Sequence, residues 1–173
     1  MSMNIVLVRP EIPQNTGNIA RTCAATGTVL HLIGPLGFSL EDRYVKRAGL
    51  DYWHLMEYHV YQDEEDFLRQ HPGIRAHFAT TKAPSGYHEA EYRDGDYLVF
   101  GCETRGLPEN LLRKVYDRCI RIPMRGEARS LNLANSAAIV LYEALRQNGF
   151  PGLNAEGSLT GREETDNPWL DYV

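Results

Sequence analysis

Short, uninterrupted apolar runs constrain this chain more than any other feature. Residues 4–8 (NIVLV), 29–33 (VLHLI) and 97–101 (YLVFG) are too short for helices and lack the polar alternation of a half-exposed strand. Such runs read as strands buried on both faces, the habit of parallel sheets. Residues 75–81 (RAHFATT) and 118–122 (RCIRI) fit the same role. Helical patterns separate them. After a loop stiffened by Pro10 and Pro13, Asn15 or Thr16 is expected to cap a helix that runs to Thr26 and stops at Gly27. Ser39 with Asp42 resembles a capping box and opens a short basic helix to Arg47. Residues 53–61 suggest extended chain, Asp63 starts an acidic helix that Pro72-Gly73 ends, and Pro108 opens a helix as a first-turn proline. Strands alternating with helices at this spacing predict one α/β domain, with a mainly parallel sheet and helices on both faces. Ligands in such folds sit at the carboxyl ends of strands, here residues 79–82, 101–106 and 122–129.

Residues 129–148 (RSLNLANSAAIVLYEALRQN) are the longest periodic stretch. Leu133, Ala137, Val140, Leu141, Ala144 and Leu145 form one buried helical stripe. Arg146 in the last turn, Gly149 and Pro151 mark its end. Its start is unusual: Ser130, Asn132, Asn135 and Ser136 crowd one turn, where a core helix needs a single cap. Free N–H groups there suit either a capped helix with a polar edge or a helix that faces a ligand.

With 173 residues, 43% of them hydrophobic, the chain can bury a core. The net charge of −5 sits largely in residues 156–173, where five carboxylates face Arg162 alone. Arg105, Arg113, Lys114, Arg118, Arg121, Arg125 and Arg129 cluster instead, so a basic face remains compatible with an acidic protein. Cys23, Cys102 and Cys119 lie far apart without a CxxC pair, which fits core residues in a reducing cytoplasm rather than a metal site or a disulfide framework. His54 and His59 have no ligand-spaced companions, so no metal is expected. The first apolar run ends at Arg9, too early for a signal peptide, and nothing approaches a membrane-spanning length. A GxGxxG after the first strand is absent, against a dinucleotide-dependent oxidoreductase.

Three blocks carry the chemistry: residues 15–21 (NTGNIAR), residues 100–108 (FGCETRGLP), and IPM at 122–124 followed by SLNLANS at 130–136. In this order they resemble the three motifs of the SPOUT RNA methyltransferases, most closely the short branch that methylates the ribose 2′-oxygen of the tRNA wobble nucleotide. Pro10-Glu11-Ile12-Pro13 and RAGLDY at 47–52 agree. Cys102 departs from the family, which usually has proline there.

The resemblance implies a methyltransferase domain over residues 1–152 with a deep trefoil knot in its C-terminal part, followed by an acidic tail at 153–173, and a cytoplasmic homodimer with the first and last helices at its interface. It implies S-adenosylmethionine as methyl donor, the anticodon stem-loop of tRNA as partner, and cytidine or uridine as the modified nucleotide. Ala79, Gly101, Ile122 and Ser130 fall at cofactor-contacting positions. Gly101, lacking a Cβ, would let backbone approach the ligand. Arg21 falls at the catalytic position, where a guanidinium grips an RNA phosphate or the developing alkoxide better than it serves as a base. Asn132 and Tyr142 are candidate RNA contacts, with core or dimer packing the alternative for Tyr142. Asn15 reads as a cap, and Glu103 as a tie for its loop through N–H groups. A catalytically inactive tRNA-binding module of the same fold is the rival reading.

Overall fold

The computed structural model describes residues 2–41 and 53–161. Its strands are β1 (Asn4–Val8), β2 (Val29–Ile33), β3 (Tyr58–Tyr61), β4 (Ala76–Ala79), β5 (Ser85–Gly86), β6 (Tyr97–Phe100) and β7 (Cys119–Arg121). They form one sheet in the order β3-β2-β1-β6-β4-β7-β5. Every pairing among these strands is parallel. The helices are α1 (Pro13–Thr26), α2 (Glu64–Gln70), α3 (Glu109–Lys114) and α4 (Leu133–Gln147). Among the described residues no helix is long and apolar enough to cross a membrane.

Pleating divides the core. Ile5 and Leu7 of β1 pack with Leu30, Leu32 and Leu98 against Ile19, Ala20 and Cys23 of α1 and Val140, Leu141 and Ala144 of α4. Val6 and Val8 point the other way, joining Phe67 of α2 and Leu112 of α3. This is why the strands carry no polar alternation. Burial pushes the Cys23 thiol up to about 12, and Cys119 is raised by the same cause, as inert core residues should be.

The second face also holds a polar chain. His31, 2% exposed, contacts the Tyr61 hydroxyl through Nδ1 at 2.9 Å and Asn4 Oδ1 through Nε2 at 3.1 Å. The Tyr61 hydroxyl also meets His71 Nε2 at 2.8 Å, and His71 Nδ1 meets the Tyr97 hydroxyl at 3.2 Å.

The helix ends follow local chemistry. Asp63 caps α2 by accepting from the Asp66 N–H at 2.8 Å. Gly149, with φ +75°, closes α4 in the left-handed region. Four details differ from the sequence reading. α1 begins at Pro13, with Ile12 at the cap position and no side-chain cap, so neither Asn15 nor Thr16 caps it. Pro108 is itself the cap of α3, because its ψ of 137° is extended and the helix starts one residue later. Residues 53–61 split into a short 3₁₀ turn at Trp53–Leu55 and strand β3. β5, only two residues long, is a strand that the sequence patterns do not predict.

Residues 42–47 of the helix expected at 39–47, the motif at 47–52 and the segment Pro168-Trp169-Leu170 lie outside the described residues. Residues 153–161 have no regular structure, although Leu153 packs on the core beside Phe150.

Candidate active site

The loops that follow β4, β6 and β7 converge with the start of α1 and of α4 on one cleft of about 550 Å³. It lies at the carboxyl ends of the strands, where a parallel sheet leaves its loops free. Ala79, Gly101, Ile122 and Ser130 all line it, and Asn132 joins them. The walls mix aliphatic side chains, such as Leu107, Ile120 and Val140, with the hydroxyls of Thr80 and Ser136 and the backbone of glycine-bearing turns. That volume and mixture suit a nucleoside-sized ligand with an apolar ring and a polar ribose.

Two carboxylates set the shape of the cleft. Glu103 accepts from the Glu11 N–H at 2.8 Å, the Ile12 N–H at 3.1 Å and Asn15 Nδ2 at 3.0 Å. Glu11 reciprocates by accepting from the Thr104 N–H and hydroxyl. The Glu103 charge thus lies at the N-terminus of α1, which has no side-chain cap of its own. Glu103 ties a neighbouring loop, whereas the sequence suggests only its own.

Asn15 continues the chain. Its Oδ1 accepts from Asn132 Nδ2 at 2.9 Å. Asn132 Oδ1 in turn accepts from the N–H groups of Ala134 and Asn135, which caps α4. One member of the polar crowd at the start of α4, Asn132, is thus its cap and reaches across to α1, while Ser130 and Ser136 line the cleft. Asn15 is 5% exposed, a buried connector between two loops and not a surface cap.

Gly101 has a different reason to be glycine from the one its position suggests. A Cβ there would lie 2.1 Å from the Gly106 carbonyl carbon and 2.3 Å from the Leu107 nitrogen. The missing side chain makes room for the loop's own return, not for a ligand.

Arg21 and Tyr142 are not brought into the cleft. Arg21 lies on the exposed side of α1, roughly 9 Å along the axis from Asn15 at the helical rise. Tyr142 is 47% exposed on α4, near exposed Ile139. No group of three or more His, Cys, Asp or Glu side chains that could hold a metal occurs among the described residues. Sequence reasoning missed the Glu11–Thr104 contact, which no local pattern announces.

Comparison with known proteins matches the SpoU rRNA Methylase family over residues 2–142. The tRNA (cytidine(34)-2′-O)-methyltransferase of Saccharophagus degradans is 49% identical over 150 residues, 86% of this chain and 97% of that protein. A solved structure concerned with the 2-OH methylation of C/U34 on tRNA superposes with a TM-score of 0.82 at 46% identity, covering 86% of this chain and 97% of the other. The AdoMet-bound rRNA methyltransferase of Sinorhizobium meliloti superposes at 0.74 with 30% identity, over 84% of this chain and 56% of that longer one. A parallel sheet whose loops close on a nucleoside-sized cleft, with these relatives along nearly its whole length, places this chain in the SpoU methylase family.

Proposed function

We propose that this protein transfers a methyl group from S-adenosylmethionine to the ribose 2′-oxygen of cytidine or uridine at position 34 of tRNA, as its relatives' names describe. The observation that carries this is the meeting of Ala79, Gly101, Ile122 and Ser130 in one cleft of fitting size. S-adenosylmethionine, when bound, supplies an electrophilic methyl group. The ribose oxygen would take up that methyl group while its own proton passes to solvent and the demethylated thioether departs. The protein's work is positioning. The backbone at Gly101 and Ile122 would hold the cofactor's ring, and Ser130 its polar edge. Glu103, Asn15 and Asn132 keep the walls in register.

Arg21 is assigned to the RNA phosphate or the developing alkoxide. Because it stands outside the walls of its own cleft, it serves the cleft of a second copy in a homodimer that apposes α1 and α4. Tyr142 and Ile139 lie exposed on that helix. Asn132 borders the RNA side, and Tyr142 packs on the partner copy or on an unpaired base. A trefoil knot in the C-terminal part and a cytoplasmic site complete this reading, supported by the family and by three unpaired thiols.

Labelled S-adenosylmethionine with unmodified tRNA tests the reaction: label should appear in the ribose at position 34, and label on a base refutes it. Arg21→Ala should abolish turnover and keep cofactor affinity. Mixed with a chain whose cleft is filled by Ser130→Trp, it should recover about a quarter of the activity through heterodimers; no recovery would return Arg21 to its own cleft.

A further inference from the structure

Ion pairing separates two populations of arginine in this protein. Among the described residues, Arg9, Arg69, Arg75 and Arg93 each pair with a carboxylate, as do Arg113 and Arg146. Arg118, which lies over the Phe78 ring, and Arg121 of β7 have no ion-pair partner among them, and neither do Arg105, Arg125 and Arg129. These last three are exposed, and all lie on the loops after β6 and β7 that wall the cleft. Arg105 and Arg129 line it directly, from separate loops.

The neighbouring carboxylates are mostly committed elsewhere. Glu103 accepts three N–H donors, Glu11 holds Thr104, and Glu109 pairs with Lys82 and Arg113. Glu127, exposed between Arg125 and Arg129, is the one acid on the loop after β7. A protein of net charge −5 thus concentrates unneutralised guanidinium groups around one opening. Such groups attract a polyanion and hold phosphate oxygens two at a time.

We infer that Arg105 and Arg129, with Arg125 beside them, clamp the RNA backbone across the mouth of the cleft, holding the phosphates that flank the target nucleotide. The clamp positions the strand without reading its bases. Arg105 and Arg129 approach from different loops, so they grip the strand on two sides of the opening, and the ribose between them is presented inward. This rests on the methyl-transfer reading only in taking RNA as the polyanion.

The test uses the full chain and unmodified tRNA, with binding measured across a salt series. Arg105→Ala and Arg129→Ala should each weaken tRNA binding about tenfold at moderate salt and lower the slope of log affinity against log salt by roughly one. The triple variant including Arg125→Ala should lower the slope by roughly two to three. S-adenosylmethionine affinity, measured by calorimetry on the same proteins, should stay within about twofold. Arg105→Lys and Arg129→Lys should restore the slope, since charge is kept, but recover only part of the affinity. An unchanged salt slope in the alanine variants, or a loss of S-adenosylmethionine binding in place of tRNA binding, overturns the clamp. Wild-type protein that binds tRNA with this slope but transfers no methyl group would remove the proposed reaction and leave the clamp standing.

Discussion

Two hydrogen-bonded chains cross this molecule, and they end differently. At the cleft, Glu103, Asn15 and Asn132 join three loops beside an open volume. On the opposite face, Asn4, His31, Tyr61, His71 and Tyr97 join strands within packed protein. The direction of the second chain can be deduced. Asn4 Nδ2 points at the carbonyls of Gly95 and Asp96, so its Oδ1 must accept from His31 Nε2–H. His31 Nδ1 then accepts the Tyr61 proton, Tyr61 accepts from His71 Nε2–H, and His71 Nδ1 accepts from Tyr97. Both histidines are neutral, each ring nitrogen is used once, and nothing is left over. Both chains are satisfied internally, so their difference is one of place: the second is held among strands and helices, whereas Glu103, Asn15 and Asn132 line a space of ligand size.

The largest contrast comes from cutting each chain. Glu103→Ala strands three N–H donors and lets the loops drift, so turnover should fall by roughly a hundredfold. Steady-state kinetics on folded protein measures this; near-normal turnover would show that Glu103 does not set the cleft. Tyr61→Phe removes a hydroxyl with two partners on the sealed side. It should cost about 1–3 kcal/mol in denaturant melts and leave turnover per folded molecule unchanged. A selective loss of activity would erase the distinction between the chains.

Acid separates them further. Burial, then the charges of His71 and His59, depress His31 from 6.5 to about 3, and burial also lowers His71. The unfolded chain therefore binds a proton that the folded chain refuses. Stability is full above pH 6.5 and falls as pH drops toward about 3, by about 1.4 kcal/mol per unit for His31 alone. Melts across that window should show the slope in the wild type and a shallower one in His31→Leu. The smallest effect belongs to Cys102, whose sulfur makes only long contacts, 3.8 Å to the Gly106 carbonyl and 4.0 Å to the Thr104 hydroxyl. Cys102→Ala should change stability by less than about 0.5 kcal/mol, because Glu11 and Glu103, not residue 102, hold that loop.

What could be read beforehand follows the range of the interactions. Strands β1, β2 and β6 and the stripe of α4 announce themselves, because burial on two faces or on one stripe writes a pattern into neighbouring residues. The Asp63 cap is equally local. Asn15 was misleading for the opposite reason: its partners are Glu103 and Asn132, 88 and 117 residues away, so in isolation it looks like a cap. His31 sits inside an apolar run with no local sign that Asn4 and Tyr61 complete it. β5 has two residues, too few for any period. The family motifs gathered the cleft residues that physics alone would have left scattered, yet they could not reveal that Gly101 makes room for the return of its own loop.

The tie from Glu103 through Asn15 to Asn132 has a consequence for how this protein comes into being. A nascent chain that has emerged only as far as Leu131 possesses all seven strands of its sheet but not the residue that fastens the first loop to α4. Occupancy of the crevice is thereby a gauge of completed synthesis: whatever binds there favours the finished molecule over every partial one, and its stabilising effect spreads across the whole polypeptide instead of a single loop.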